Sequence, residues 1–400
     1  MIKRNKHTHW FILIIMAVLF SACSKNPSPD TGLASTYAAQ TRTAMFTETE
    51  EPKGNSTETP EPTETLTPTA TTTPQAVGPI NFPDNVNPLT GLVVADPTFL
   101  DRRPVFVKVA NYPAIGRPHA GLSSADMVFE YFIGVGTNRF IGLFYGQESD
   151  KIGPVRSGRL VDPHIVSLYE GILGMEGAYV TVFDHITEIL GDRVVSGRGT
   201  CPAICDDGRY IVTSVFADSE AMTEVSTEQG VENRRYTLEG MAFDPEPPAG
   251  GVDGEAASVY FSSYNRGDWR FDADSGKYLR WIEDDTGNPE NMIPLVDRNT
   301  DDQLAFSNVV ILFAKHTELA PTLHEIELWN VIGQRAIIFR DGQVFDGTWT
   351  TPSQTQPIQF LDESGNFIPL RPGNTWVVIM GTGSLVSEDD GLWTFNFRLP

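Results

Sequence analysis

Basic residues are scarce in this 400-residue chain, 29 lysines and arginines against 52 aspartates and glutamates, for a formal net charge of −23. Such a balance leaves no electrostatic footprint for nucleic acid and no polybasic hold on anionic lipid. Cysteine is scarcer still, with three in all, at 23, 201 and 205. That is too few for a disulfide framework, and the lone C-x-x-x-C lacks the second ligand pair that zinc takes. The most apolar stretch, Trp10–Phe20, is too short to span a bilayer as a stable helix. H-E-x-x-H, P-loop and Rossmann fingerprints are absent, no internal repeat recurs, and Ser157 lacks the G-x-S-x-G elbow of a serine nucleophile. No metal or cofactor is therefore expected.

What is present begins with an export signal. Lys3, Arg4 and Lys6 precede the apolar run, which closes on Leu19-Phe20-Ser21-Ala22-Cys23. Small residues directly before a cysteine resemble a bacterial lipobox, with Phe20 where leucine is usual. Residues 1–22 are thus expected to be a lipoprotein signal peptide, and Cys23 the acylated mature N-terminus. Cleavage takes three positive charges with it, moving the net charge to about −26. The hold on the membrane is then lipid, and two or more acyl chains meet the requirement for stable anchoring.

Residues 23–86 are dominated by Thr, Pro, Ser and Glu, as in TETPEPTETLTPTATTTP. A segment with so few apolar residues cannot offset its chain entropy, so a disordered tether is expected, reaching about 190 Å at most when extended. Beyond it, length and pattern predict two domains, an α/β domain with a mixed sheet over 87–243 and a β-rich domain over 255–400. The Pro/Gly-rich stretch Asp244–Gly254 separates them. In the first, Pro104–Ala110, Asp126–Ile133, Asn138–Gly146 and Ala178–Phe183 read as strands. A helix is expected from Pro163, capped by Asp162, with Ile165, Leu168, Tyr169 and Ile172 on one apolar face and an end at Gly174–Gly177. Asp184 and Asp218 are expected to cap two further helices. In the second, Asp341-Gly342 is a strong hairpin signal. Trp269, Trp281, Trp329, Trp349, Trp376 and Trp393 are spread along its strands, a pattern of core packing more often than of a glycan-binding face.

Chemistry concentrates in Ile152–Pro163, IGPVRSGRLVDP, where Arg156 and Arg159 stand beside Ser157 at the mouth of the predicted helix. Guanidiniums there suit a carboxylate or phosphate. The polar, glycine-rich loops around Arg117, His119 and Arg139, and Glu130 on its strand, complete a candidate ligand site. The competing reading makes these residues structural, with Arg156 paired to Glu130 or Asp162. His164 and His185 are expected to be exposed rather than proton-transfer groups, and Cys201 and Cys205 to form a small disulfide loop in preference to free thiols or a metal site.

The blocks PLTGL (88–92), RRPVFVKVAN (102–111), RPHAGLSSADMVFE (117–130), TNRFIGLFY (137–145) and IGPVRSGR (152–159), with FRDGQVFDGTW (339–349) and LRPGNTWVVI (370–379), resemble the YerB-like lipoproteins, a family of unknown function. The resemblance implies a two-domain, surface-anchored lipoprotein and supplies no catalytic set. The chain departs from it at Ala110-Asn111 and at Gly134-Val135-Gly136. The expected function is therefore binding or scaffolding, toward a cell-wall component, a small anion or an envelope protein. The alternative is a wall-directed hydrolase or transferase using Glu130, Asp126 or His119 as acid or base.

Overall fold

The computed structural model describes residues 75–400 apart from Arg198, Asp285, Gly287 and Pro289. The expected signal peptide, Cys23 and the expected tether as far as residue 74 lie outside the described residues. Ordered packing begins ahead of the expected start at 87: Val77 pairs with Phe243, and Val86 is buried.

The fold is mostly sheet. An 11-stranded mixed sheet carries, on one side, β1 (Val105–Ala110), β2 (Met127–Gly134), β3 (Thr137–Phe144), β4 (Ile172–Met175) and β5 (Val194–Ser196). The order across it is Gln359–Leu361, Gln343–Thr350, Gln334–Arg340, Asn308–Ala314, Thr375–Gly381, β2, β3, β1, β4, β5, with the short strand Val252–Asp253 also paired to Gln343–Thr350. Its middle joins chain segments from both halves, because Thr375–Gly381 runs parallel to β2, with Met127 opposite Thr375 and Tyr131 opposite Ile379. The break at Asp244–Gly254 therefore does not end a sheet: segments 87–243 and 255–400 both contribute strands to this one. The Asp341-Gly342 turn has positive φ at both residues and closes the expected hairpin.

Side chains alternate between the two faces with the period of two that a strand imposes. Phe106, Phe129, Ile141 and Leu143 face one core, covered by α1 (Asp162–Leu168) and α2 (Val180–Leu190). Val107, Val128 and Phe140 face the other, covered by α3 (Ser219–Glu228) and a second sheet. That second sheet runs Met292–Pro294, Lys277–Glu283, Asn265–Asp272, Ala256–Ser262, Leu392–Asn396, Leu385–Asp389, with Ala305–Phe306 beside Lys277–Glu283. Trp269, Trp349 and Trp376 are fully buried and belong to these cores.

Two helix expectations are corrected. α1 stops at Leu168, because Glu170 turns into left-handed backbone (φ +53°) and Ile172–Met175 pairs in parallel with β1. Ile172 is buried as expected, but from a strand. Asp162 lies inside the first turn with its side chain turned into the core, so it does not cap α1. Ala178–Phe183 is not a strand. Val182, Ile186 and Leu190 recur at i, i+4 and i+8, and burying them selects helix α2 over the local β-branched preference. Asp184 sits exposed within that helix rather than at its start. Asp218 does cap α3, accepting the Ala221 N–H, and left-handed Gly230 follows the helix.

Candidate functional site

The organising stretch is pinned by backbone pairs on every side. Ile152 pairs with Ala217 and Gly153 with Ala120, while Pro154 accepts from Ala110 and Arg156 donates to the Lys108 carbonyl. Beyond it, the Gly158 N–H donates to Gly177. A side chain at Gly158 would meet Met175 Sδ and Ile186 Cδ1 at 2.6 Å, so the turn passes too close to α2 for anything larger.

This scaffold brings Arg139, Arg156, Ser157 and Arg159 together. Tyr131 and Arg139 stand opposite each other on β2 and β3, and Lys108 shares their face from β1. Arg139 Nη1 donates to the Ser157 carbonyl at 2.6 Å, so Ser157 contributes its backbone. Arg159 Nη1 donates to the Gly158 carbonyl, and Arg156 meets Glu176 at a long 3.7 Å. The expected pairing of Arg156 with Glu130 or Asp162 is thus replaced by Glu176. The Nε of Arg139, Arg156 and Arg159 is in each case buried without a hydrogen-bond partner. Burial first, then the neighbouring Arg159 and Arg156, push the Arg139 guanidinium down to about 9.

Under the arginines lies a group that the sequence reading did not include, Lys108–Tyr131–Asp162. The Lys108 ammonium and Asp162 carboxylate are wholly buried, 3.0 Å apart. Lys108 Nζ donates to the Tyr131 hydroxyl, which donates to Asp162 Oδ1, while Asp162 Oδ2 accepts the Arg159 N–H at 2.7 Å. Burial drives Lys108 down to about 7 despite the opposing pull of Asp162. The signal was in the sequence: a lone lysine within PVFVKVA must find an acid if its strand is buried on both faces.

Arg117, His119 and Glu130 do not join this cluster. They lie on the opposite face of the sheet and tie the two halves of the chain together. Glu130 is 1% exposed, accepts from Trp376 Nε1 at 2.8 Å and from Asn138, and pairs with Arg280 at 3.3 Å. Arg117 pairs with Glu283 at 2.7 Å. His119 Nε2 bonds the Ala110 carbonyl, and burial lowers its pKa to about 3. Next to it, Asp297 accepts the Gly121 and Ser123 N–H groups and the Ser123 hydroxyl. The RPHAGLSSAD motif is therefore a docking loop. Asp126, raised by burial to about 6, is likewise enclosed by Asn87 and the Tyr145 and Gly146 N–H groups. Cys201 and Cys205 are joined by a disulfide, at the start of the short hairpin whose second strand receives Val155. His164 stacks at 4.2 Å on Trp329, and no cluster of His, Cys, Asp and Glu among the described residues is arranged to hold a metal.

Comparison with known proteins follows this layout. Models of the family described as "Protein of unknown function (DUF3048)" match at residues 89–232 for the N-terminal domain and 257–377 for the C-terminal domain. The curated protein "Putative lipoprotein YerB" of Bacillus subtilis (strain 168) is 24% identical over 308 residues, 73% of this chain and 85% of its own. The crystal structure of YerB from Bacillus subtilis matches with a TM-score of 0.62 at 21% identity, covering 74% of this chain and 96% of that one. That likeness establishes the fold.

Proposed function

Because the chain belongs to the DUF3048 family, whose description carries no activity, we propose from its own geometry that it is a lipid-anchored envelope protein that binds an anionic ligand. The observation that carries this is the convergence of Arg139, Arg156 and Arg159, each with a buried, unpartnered Nε. Buried donors left without acceptors cost free energy, and an anion supplies what the chain itself does not. The acid/base reading is weaker, since Glu130 and Asp126 are enclosed by partners within the fold and His119 is fully buried with its Nε2 on the Ala110 carbonyl.

Anchoring rests on the Cys23 motif and on the relative's name, which calls that protein a lipoprotein. No helix among the described residues is long and apolar enough to cross a membrane. Cys23→Ser is expected to move the protein from the membrane to the soluble fraction. Quantitative retention in the membrane pellet would refute lipid anchoring.

The ligand site is tested by isothermal titration of the detergent-solubilised full chain with inorganic phosphate, pyrophosphate and citrate. Saturable binding is expected, with at least a tenfold loss of affinity in Arg156→Ala. The Arg156–Glu176 pair is long and about one-fifth exposed on each side, so that variant should lose less than about 1 kcal/mol of stability. A loss of several kcal/mol with no effect on any anion would make Arg156 a structural residue.

A further inference from the structure

Building on the anion-site reading, we infer that the group held by Arg139, Arg156 and Arg159 is a phosphate monoester. Charge is the first reason. The cluster gathers four cationic side chains, Lys108 and the three arginines, while the acids acting on them among the described residues are Asp162 and Glu176. The surplus is about two positive charges when Lys108 is protonated. A phosphate monoester carries about −1.5 to −2 at neutral pH, whereas a phosphodiester or a single carboxylate carries one.

Donor shape is the second reason. A carboxylate offers two coplanar oxygens, which one guanidinium fork can saturate. Here three guanidiniums arrive from separate backbone positions, Arg139 from β3 and Arg156 and Arg159 from the loop, each with an Nε to spare. Three terminal oxygens on a tetrahedral centre accept that many forks. Helix α2 adds to this. Its N-cap, Tyr179, supplies no side-chain acceptor, and the helix starts shortly after Glu176 and Gly177, which are tied to Arg156 and Gly158. A Cβ at Gly177 would meet no atom within 4 Å, so space is open beside the loop.

Depth is the third reason. Arg139 is 7% exposed. A terminal phosphate can enter end-on, whereas a diester inside a polymer has to thread two substituents past the same loop. The same headgroup occurs on a soluble sugar phosphate and on an anionic lipid, and the test separates these sources.

The test is 31P NMR and calorimetric titration of the detergent-solubilised full chain at pH 6.5, where Lys108 is mostly protonated, with methyl phosphate, dimethyl phosphate and acetate. Co-sedimentation of the unanchored Cys23→Ser chain, without detergent, with vesicles of phosphatidylcholine plus phosphatidic acid, or plus phosphatidylglycerol, runs in parallel. Methyl phosphate is expected to bind at least tenfold more tightly than dimethyl phosphate or acetate, and to lose that preference in both Arg139→Gln and Arg156→Ala. Selective sedimentation with phosphatidic acid in the absence of methyl phosphate binding would place the monoester on a lipid. Equal binding of dimethyl phosphate or acetate, lost in the variants, would overturn the monoester while leaving an anion site. Binding of none of these ligands would overturn the site itself.

Discussion

Glu130→Ala should lower the stability of the folded chain by about 3–5 kcal/mol, read as a shift of the urea midpoint. The carboxylate is the counter-charge of Arg280, itself 1% exposed and flanked by the Trp269 and Trp376 rings at 4.1 and 5.1 Å. Its removal strands a guanidinium in the core and takes the acceptor from Trp376 Nε1. Burial raises the Glu130 pKa and lowers that of Arg280, so desolvation opposes the charge on both partners. The sign follows: a carboxyl raised in the fold contributes stability that declines as pH climbs from its unfolded value through its folded one. Glu130→Gln, which resembles the protonated acid, should then cost less than half as much as alanine. Glu130→Leu combined with Arg280→Met should cost less than either change alone. A double variant as unstable as the sum of its parts would refute the desolvation account.

Asp162→Ala is expected to cost about 3 kcal/mol near pH 6, where Lys108 is charged in the parent protein. The variant can limit the loss by releasing the Lys108 proton, so the deficit should shrink as pH rises. In the parent, Lys108 sits at about 7 in the fold against about 10.4 when unfolded. The unfolded chain therefore binds more protons across that window, and stability rises with pH by about 1.4 kcal/mol per unit. Lys108→Met should remove that slope. Denaturation curves from pH 6 to 10 on the parent, Asp162→Ala and Lys108→Met test this directly, and an unchanged slope without Lys108 would assign the titration elsewhere.

The sequence reading succeeded where one physical signal acted alone. β1 is β-branched and apolar, and it is a strand within a residue of expectation. Asp341-Gly342 dictated its hairpin because both positions need positive φ. It failed where tertiary packing outvoted local pattern. Ile172 fits a helical face and is drawn into the sheet by β1, while Val180–Val182 carries β-branched residues and is wound into α2 by the spacing of Val182, Ile186 and Leu190. The candidate site divided for a similar reason. Arg139, Arg156 and Arg159 stand out as clustered guanidiniums at or beside polar loops, but Arg117, His119 and Glu130 share the same motif-rich loops and strands. Only strand parity, which sends Glu130 and Tyr131 to opposite faces, sorts the proposed ligand donors from the joint between halves.

The junction between β2 and Thr375–Gly381 has a consequence for how the molecule comes into being. Trp376 reaches Glu130 across 246 positions of sequence, a contact of very long range whose closure entropy is met before any of its reward is collected. A chain that emerges amino end first exposes β2 as an open edge until Thr375–Gly381 arrives. Edges of that kind recruit other strands. Folding is therefore expected to complete late, and a truncation before Thr375 should yield an aggregate and a protease substrate rather than a smaller working domain.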